Sequence, residues 1–173
     1  MATFIQIGST VTVGAGGASS IDFTSIPSTY TDLCLELSPR TTGAFQESGM
    51  FMTFNGASTN FSHRYILGDG SAAFSGSNAY SIGATKIYAG TVNSGGSTAS
   101  SFSNCSIYIP NYAGSSNKSC SIDSVMEQNA TLSYAVLIAG LWSSSAAINQ
   151  ITITAQTNFV QYSTATLYGI SKS

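Results

Sequence analysis

Charge is scarce in this chain: Asp, Glu, Lys and Arg make up 7% of 173 residues, against about 25% in an ordinary soluble domain. The five basic residues, Arg40, Arg64, Lys86, Lys118 and Lys172, are scattered, and the formal net charge is −2. No basic stripe is available to neutralise a run of phosphates, which argues against sequence-independent nucleic-acid binding. The same dispersion argues against an anionic membrane surface. Long apolar runs are also missing. The longest, Tyr134 to Trp142, is about half of the ~20 residues a membrane helix requires. No basic residue precedes Arg40, so no secretory leader is expected.

Residues that carry chemistry are few. The single histidine, His63, sits between Ser62 and Arg64 in a stretch that reads as a strand. Serines are abundant, yet no Gly-x-Ser-x-Gly turn occurs, so His63 is expected to be structural or at the surface. Three isolated cysteines, Cys34, Cys105 and Cys120, plus one histidine do not supply the paired spacings of a zinc site. An odd cysteine count cannot pair completely within one chain, and each lies in an apolar-alternating stretch, so three reduced, buried thiols are expected. Paired carboxylates for glycoside cleavage would have to come from Asp22, Asp32, Glu36, Glu47, Asp69, Asp123 and Glu127. Asp32 and Glu36 share a strand face but would lie about 13 Å apart, beyond acid/base separation. Neither Gly14-Ala15-Gly16-Gly17 nor Gly68-Asp69-Gly70 completes a phosphate-binding pattern. No catalytic residue, metal or cofactor is expected.

What the sequence has is hydroxyls and alternation. Ser and Thr fill the place of charges on the surface, while a hydrophobic fraction of 43% and an aromatic fraction of 11% suffice for a core. The length fits one domain, residues 1–173. Period-two stretches separated by Gly, Asn, Ser and Pro clusters predict an all-β fold, with no helix beyond a turn. Strands are expected at Thr3 to Val13 (broken at Gly8), Ile21 to Phe23, Tyr30 to Leu37 and Met50 to Phe54. Asn55-Gly56 reads as a hairpin turn returning through Phe61 to Leu67. Ser71 to Asn78 and Asn93 to Ser101 read as loops around a strand near Tyr80 to Tyr88. Phe102 to Ile109, Lys118 to Met126, Tyr134 to Trp142, a strand containing Ile148, Ile151 and Ile153, and Ala165 to Ile170 complete nine to eleven strands. Tyr134 to Trp142 is apolar at every position, the pattern of a central strand covered on both faces.

Four stretches, Phe23-Thr24-Ser25-Ile26-Pro27-Ser28-Thr29-Tyr30-Thr31-Asp32-Leu33, Thr53-Phe54-Asn55-Gly56, Ile107-Tyr108-Ile109-Pro110-Asn111-Tyr112, and Ala139-Gly140-Leu141-Trp142 through Ala146-Ala147-Ile148 to Thr166-Leu167-Tyr168-Gly169-Ile170, stand out by their order and spacing. Together they resemble a family of short virion proteins of tailed bacteriophages, notably phages of cyanobacteria and other aquatic bacteria. The likeness runs from about Ile21 to Ile170, its specificity coming from the order and spacing of the segments. It departs from the family at Ala57, where an acidic residue often follows Asn-Gly, and at Gln161-Tyr162, which replaces a Gly-containing turn. The resemblance implies an antiparallel β-sandwich of jelly-roll type, no catalysis and a place on the particle, with synthesis in the host cytoplasm.

From this follows the expectation of a capsid decoration or cement protein, bound to the major capsid protein or other virion proteins as a symmetric oligomer, a homotrimer. The alternatives are a tail-fibre or receptor-binding domain touching host glycans, and a secreted carbohydrate-binding module. Subunit or shell contact is expected at Phe4, Ile5 and Ile7, because residues 1–13 form an apolar strand or arm lacking the charges or prolines that usually defend a sheet edge. Trp142, the only tryptophan, is expected in the core or at a subunit interface.

Overall fold

The computed structural model describes residues 2–171. Among the described residues thirteen strands form: β1 (Thr3–Gln6), β2 (Val11–Thr12), β3 (Ala18–Phe23), β4 (Asp32–Ser38), β5 (Glu47–Phe54), β6 (Phe61–Gly68), β7 (Ala73–Gly76), β8 (Ile87–Asn93), β9 (Asn104–Ile109), β10 (Lys118–Met126), β11 (Tyr134–Trp142), β12 (Ile151–Phe159) and β13 (Thr164–Ser171). The helical segment is one 3₁₀ turn, Ala79–Ser81. All strand pairs are antiparallel, in a nine-stranded sheet ordered β1-β13-β4-β9-β10-β11-β6-β7, with β2 also on β13, and a four-stranded sheet ordered β3-β12-β5-β8. The protein is therefore an all-β sandwich.

Alternation builds the core. Along β10, Cys120, Ile122, Ser124 and Met126 are buried while their neighbours are exposed, and Leu33, Leu35 and Leu37 of β4 face the same interior. The small sheet contributes Met50, Met52, Phe54, Ile87, Ile151 and Ile153 to this core. β8 lies closest to the opposite sheet, against β10 and β11. There Gly90, at φ 112°, leaves no room for a Cβ, which would stand 2.2 Å from the Ser124 Oγ.

Several expectations are corrected. Asn55 and Gly56 do adopt positive φ, 51° and 67°, and the turn is closed by the Ala57 N–H on the Phe54 carbonyl at 2.9 Å. It makes no hairpin, however. Phe54 pairs with Ile151 of β12, whereas Phe61 pairs with Trp142 of β11, so the chain crosses here from one sheet to the other. The intervening residues, ending in Asn60 at φ 67°, let the second strand swing away. β11 is covered on one face only: Val136, Ile138 and Trp142 point inward, while Leu137 is 54% exposed.

Residues 71–78 contain an edge strand, β7. An edge needs one hydrogen-bonded partner and little buried surface, so its small residues suffice. The strand expected over Tyr80 to Tyr88 begins only at Ile87 and continues to Asn93, because Tyr80 and Ser81 take φ of 55° and 53°, which no strand accommodates. The division of residues 3–12 into β1 and β2, together with β7, raises the strand number above that expected.

Candidate functional site

The segments that carry the phage resemblance converge as structural fasteners. Pro27 and Tyr112 are joined by a hydrogen bond from the Tyr112 hydroxyl to the Pro27 carbonyl. Asp32 accepts the Asn111 backbone N–H at 2.8 Å and the Tyr108 hydroxyl at 2.7 Å. The Ile148 N–H donates to the Tyr112 carbonyl at 3.0 Å, and the Thr31 N–H to the Ile170 carbonyl at 2.9 Å. Asn55 binds the backbone of residues 147–150. Gly169 carries no side chain because the Tyr30 ring occupies the place, 2.3 Å from where a Cβ would be. The hydrogen bonds satisfy polar groups near strand ends.

The expected contact residues separate. Phe4 and Ile5 are 58% and 42% exposed on β1, the outermost strand of the large sheet, and as strand neighbours they point to opposite faces. Phe4 meets Tyr168 edge to face, at 6.3 Å between ring centroids. Ile7 is half-buried, its N–H donating to the Leu167 carbonyl at 2.8 Å. Trp142 lies in the core of its own chain, stacked on Phe61 at 6.0 Å and tilted against Phe54 at 5.8 Å. A second apolar surface lies towards the opposite edge, on the uncovered face of the large sheet. There Leu137 stands opposite Ile66, and Val125 opposite Ala135. Ile66, Leu137 and Val125 are 58%, 54% and 40% exposed.

His63 is buried, and its Nε2 accepts the Ala79 N–H at 3.1 Å. That bond requires the neutral ring, whose other nitrogen carries the proton and has no partner in the structure. Burial, reinforced by the Arg64 charge, lowers its pKa. No carboxylate hydrogen bond orients the ring, and among the described residues no three His, Cys, Asp or Glu side chains gather as metal ligands. The three thiols are free and buried. Burial, with Glu36 beside it, raises Cys34 to about 11, so it holds its proton at neutral pH.

Two cations are unexpectedly interior. Arg40, 8% exposed, donates to the carbonyls of Ser97, Thr98 and Ser101 at 3.2, 2.9 and 2.8 Å. Lys118, 0% exposed, donates to Gly114 at 2.6 Å and to Ser116. The positive charge was thin in the sequence, and it is thinner at the surface.

The concavity richest in tyrosine escaped the sequence reading. It is lined by Tyr65, Tyr80, Tyr88 and Tyr134 with Glu47 and Asp69, contributed by β5, β6, β8, β11 and the segments beside them. No sequence spacing joins these residues, and only the tyrosine content hinted at them. Comparison with protein-family models, curated proteins and solved structures returns no match.

Proposed function

We propose that this chain is a bacteriophage virion structural protein, made in the host cytoplasm, that decorates the outer capsid shell as a homotrimer. The observation that carries this reading is β1, an edge strand with Phe4 and Ile5 exposed on opposite faces and no charge or proline to protect it. An unpaired apolar edge invites a partner chain, and the resemblance in the sequence supplies the setting. The strand order adds support. Within it, β2-β13-β4-β9 and β3-β12-β5-β8 have the order that the two sheets of an eight-stranded jelly roll would have, an architecture used by capsid and lectin domains. On this reading β6, β7, β10 and β11 are insertions that widen one sheet, and the major capsid protein receives the trimer.

Quantitative mass spectrometry of particles from the phage that encodes the chain tests this. Decoration expects hundreds of copies, in fixed proportion to the major capsid protein. A few tens would favour a tail-fibre domain, and absence from the purified particle would overturn both. Glycan binding by a chain that never associates with particles would favour a secreted carbohydrate-binding module.

A further inference from the structure

The cleft between the β6–β7 hairpin and the start of β5 is a built concavity of about 440 Å³, within the range of small-ligand sites. Tyr88 is buried at 2% exposure, and its hydroxyl shares a hydrogen bond of 2.6 Å with Thr91. The rings of Tyr65 and Tyr80 stand against it at centroid distances of 5.6 and 5.7 Å and at interplanar angles of 72° and 50°. Two glycines make room for these walls. A Cβ on Gly49 would lie 2.7 Å from the Tyr80 ring, and one on Gly76 would lie 2.5 Å from the Tyr65 hydroxyl.

The charges in the cleft have one sign. Glu47 and Asp69 line it, and no Lys, Arg or His does. His63, which approaches Tyr88 at 6.0 Å, is held neutral by its bond from Ala79. The Lys86 ammonium does not line the cleft; it stands over Phe51, 5.2 Å from the ring centroid, a ring that meets Tyr80 at 5.9 Å. Arg64 belongs to the opposite face of β6, its side chain on the His63 carbonyl. Burial raises the Glu47 carboxyl, with a hydrogen bond to Tyr134 acting in the opposite sense.

Asp69 is held by the Ser71 and Ala72 N–H groups and the Ser71 hydroxyl, which leaves Glu47 as the carboxylate beside the rings. Aromatic faces next to a carboxylate with no cationic partner are complementary to a positive charge with an apolar coat. Rings meeting at steep angles enclose a compact group, whereas a pyranose needs a flat platform to stack on. We infer that this cleft binds an alkylammonium group, of the trimethylammonium type, with Tyr65, Tyr80 and Tyr134 around it and Glu47 facing it. The inference stands apart from the virion reading, since the cleft lies away from β1.

The test is calorimetric titration of the full chain with choline chloride at constant ionic strength, beside 3,3-dimethylbutan-1-ol, its uncharged carbon analogue, and a panel of methyl glycosides. Saturable choline binding is expected, weakened at least about tenfold by Glu47→Gln and by Tyr80→Leu. The neutral analogue should bind at least about tenfold more weakly than choline. Circular dichroism confirms that each variant folds, and either one suffices. Co-sedimentation with phosphatidylcholine vesicles, competed by choline, assigns the group to a lipid headgroup. Choline binding without vesicle binding assigns it to a free solute, and both support the site. Equal affinity for the neutral analogue, binding of glycosides alone, or no saturable choline binding overturns the inference.

Discussion

Asn55 holds Asn149: the Asn55 Oδ1 accepts the Asn149 backbone N–H at 2.9 Å and, beside it, the Gln150 N–H at 3.1 Å. The Asn55 amide donates in turn to the Ala147 carbonyl at 2.8 Å. One residue thus fastens the crossing between sheets to the loop that leads into β12, from a left-handed conformation that Asn tolerates better than most residues. Asn55→Ala removes all three bonds and retains the strained φ of 51°. The expected loss is about 1–3 kcal/mol, discounted towards the low end because water reaches this loop. Urea unfolding checks it, and a midpoint equal to that of the parent protein would refute the fastening role.

Trp142→Ala is expected to be more damaging. The indole touches Phe61 of its own sheet and Phe54 of the other, so its loss opens a cavity that neither sheet can close alone. About 3–5 kcal/mol is expected, a large part of a domain's stability, seen as a lowered urea midpoint and a weakened near-ultraviolet signal. A variant as stable as the parent would place the indole outside the core.

Acid should act through His63, the only histidine in the chain. Its pKa in the fold lies below the ordinary 6.5, chiefly because of burial. The unfolded chain therefore takes up a proton before the folded one does, and stability present above about pH 6.5 falls as the pH is lowered. Glu47, raised by burial, acts in the opposite sense in its own lower range. The check is the melting temperature from pH 7.5 down to 5 (~2.5 units spanning the histidine range) for the parent and for His63→Gln, whose side chain can still accept the Ala79 N–H. A flatter profile is expected for the variant, and superimposable profiles would remove His63 from the explanation.

The edge strand makes a prediction about assembly. Removing residues 1–13 entirely would also remove Val13, which is 4% exposed and bonded through its backbone to Ser163 and Tyr162. Phe4→Ser combined with Ile5→Ser is cleaner. Both side chains are exposed in the monomer, so it should keep its stability to within about 1 kcal/mol while light scattering reports loss of the oligomer. A double variant that remains trimeric and still binds shells would exclude β1 from the contact.

How far the sequence discloses this molecule depends on how local each signal is. The bounds of Lys118 to Met126 and Tyr134 to Trp142 were readable residue for residue; in the first the faces follow from period two, whereas in the second, apolar at every position, the exposure of Leu137 was not legible. β8 was not readable, since Ala89, Gly90 and Thr91 give no strong strand signal. Its Gly90 answers to Ser124 of another strand. The partner of each strand was equally hidden: β13 lies between β1 and β4, a pairing across most of the chain that no local pattern encodes. Asn55-Gly56 shows the boundary well. Its turn was legible from two residues, while the destination of the chain after it was decided by Ile151 and Trp142. The tyrosine cleft suffers most, because each wall comes from a different element.

Arg40 and Lys118 have one more consequence. Each clasps a loop through peptide carbonyls, acceptors that do not protonate when carboxylates do. Mild acid that dissolves ordinary ion pairs leaves both clasps closed, and brine finds little to displace at cations shielded from bulk ions. The loops at 94–103 and 111–117 are thereby fastened in a way indifferent to the composition of the surrounding water.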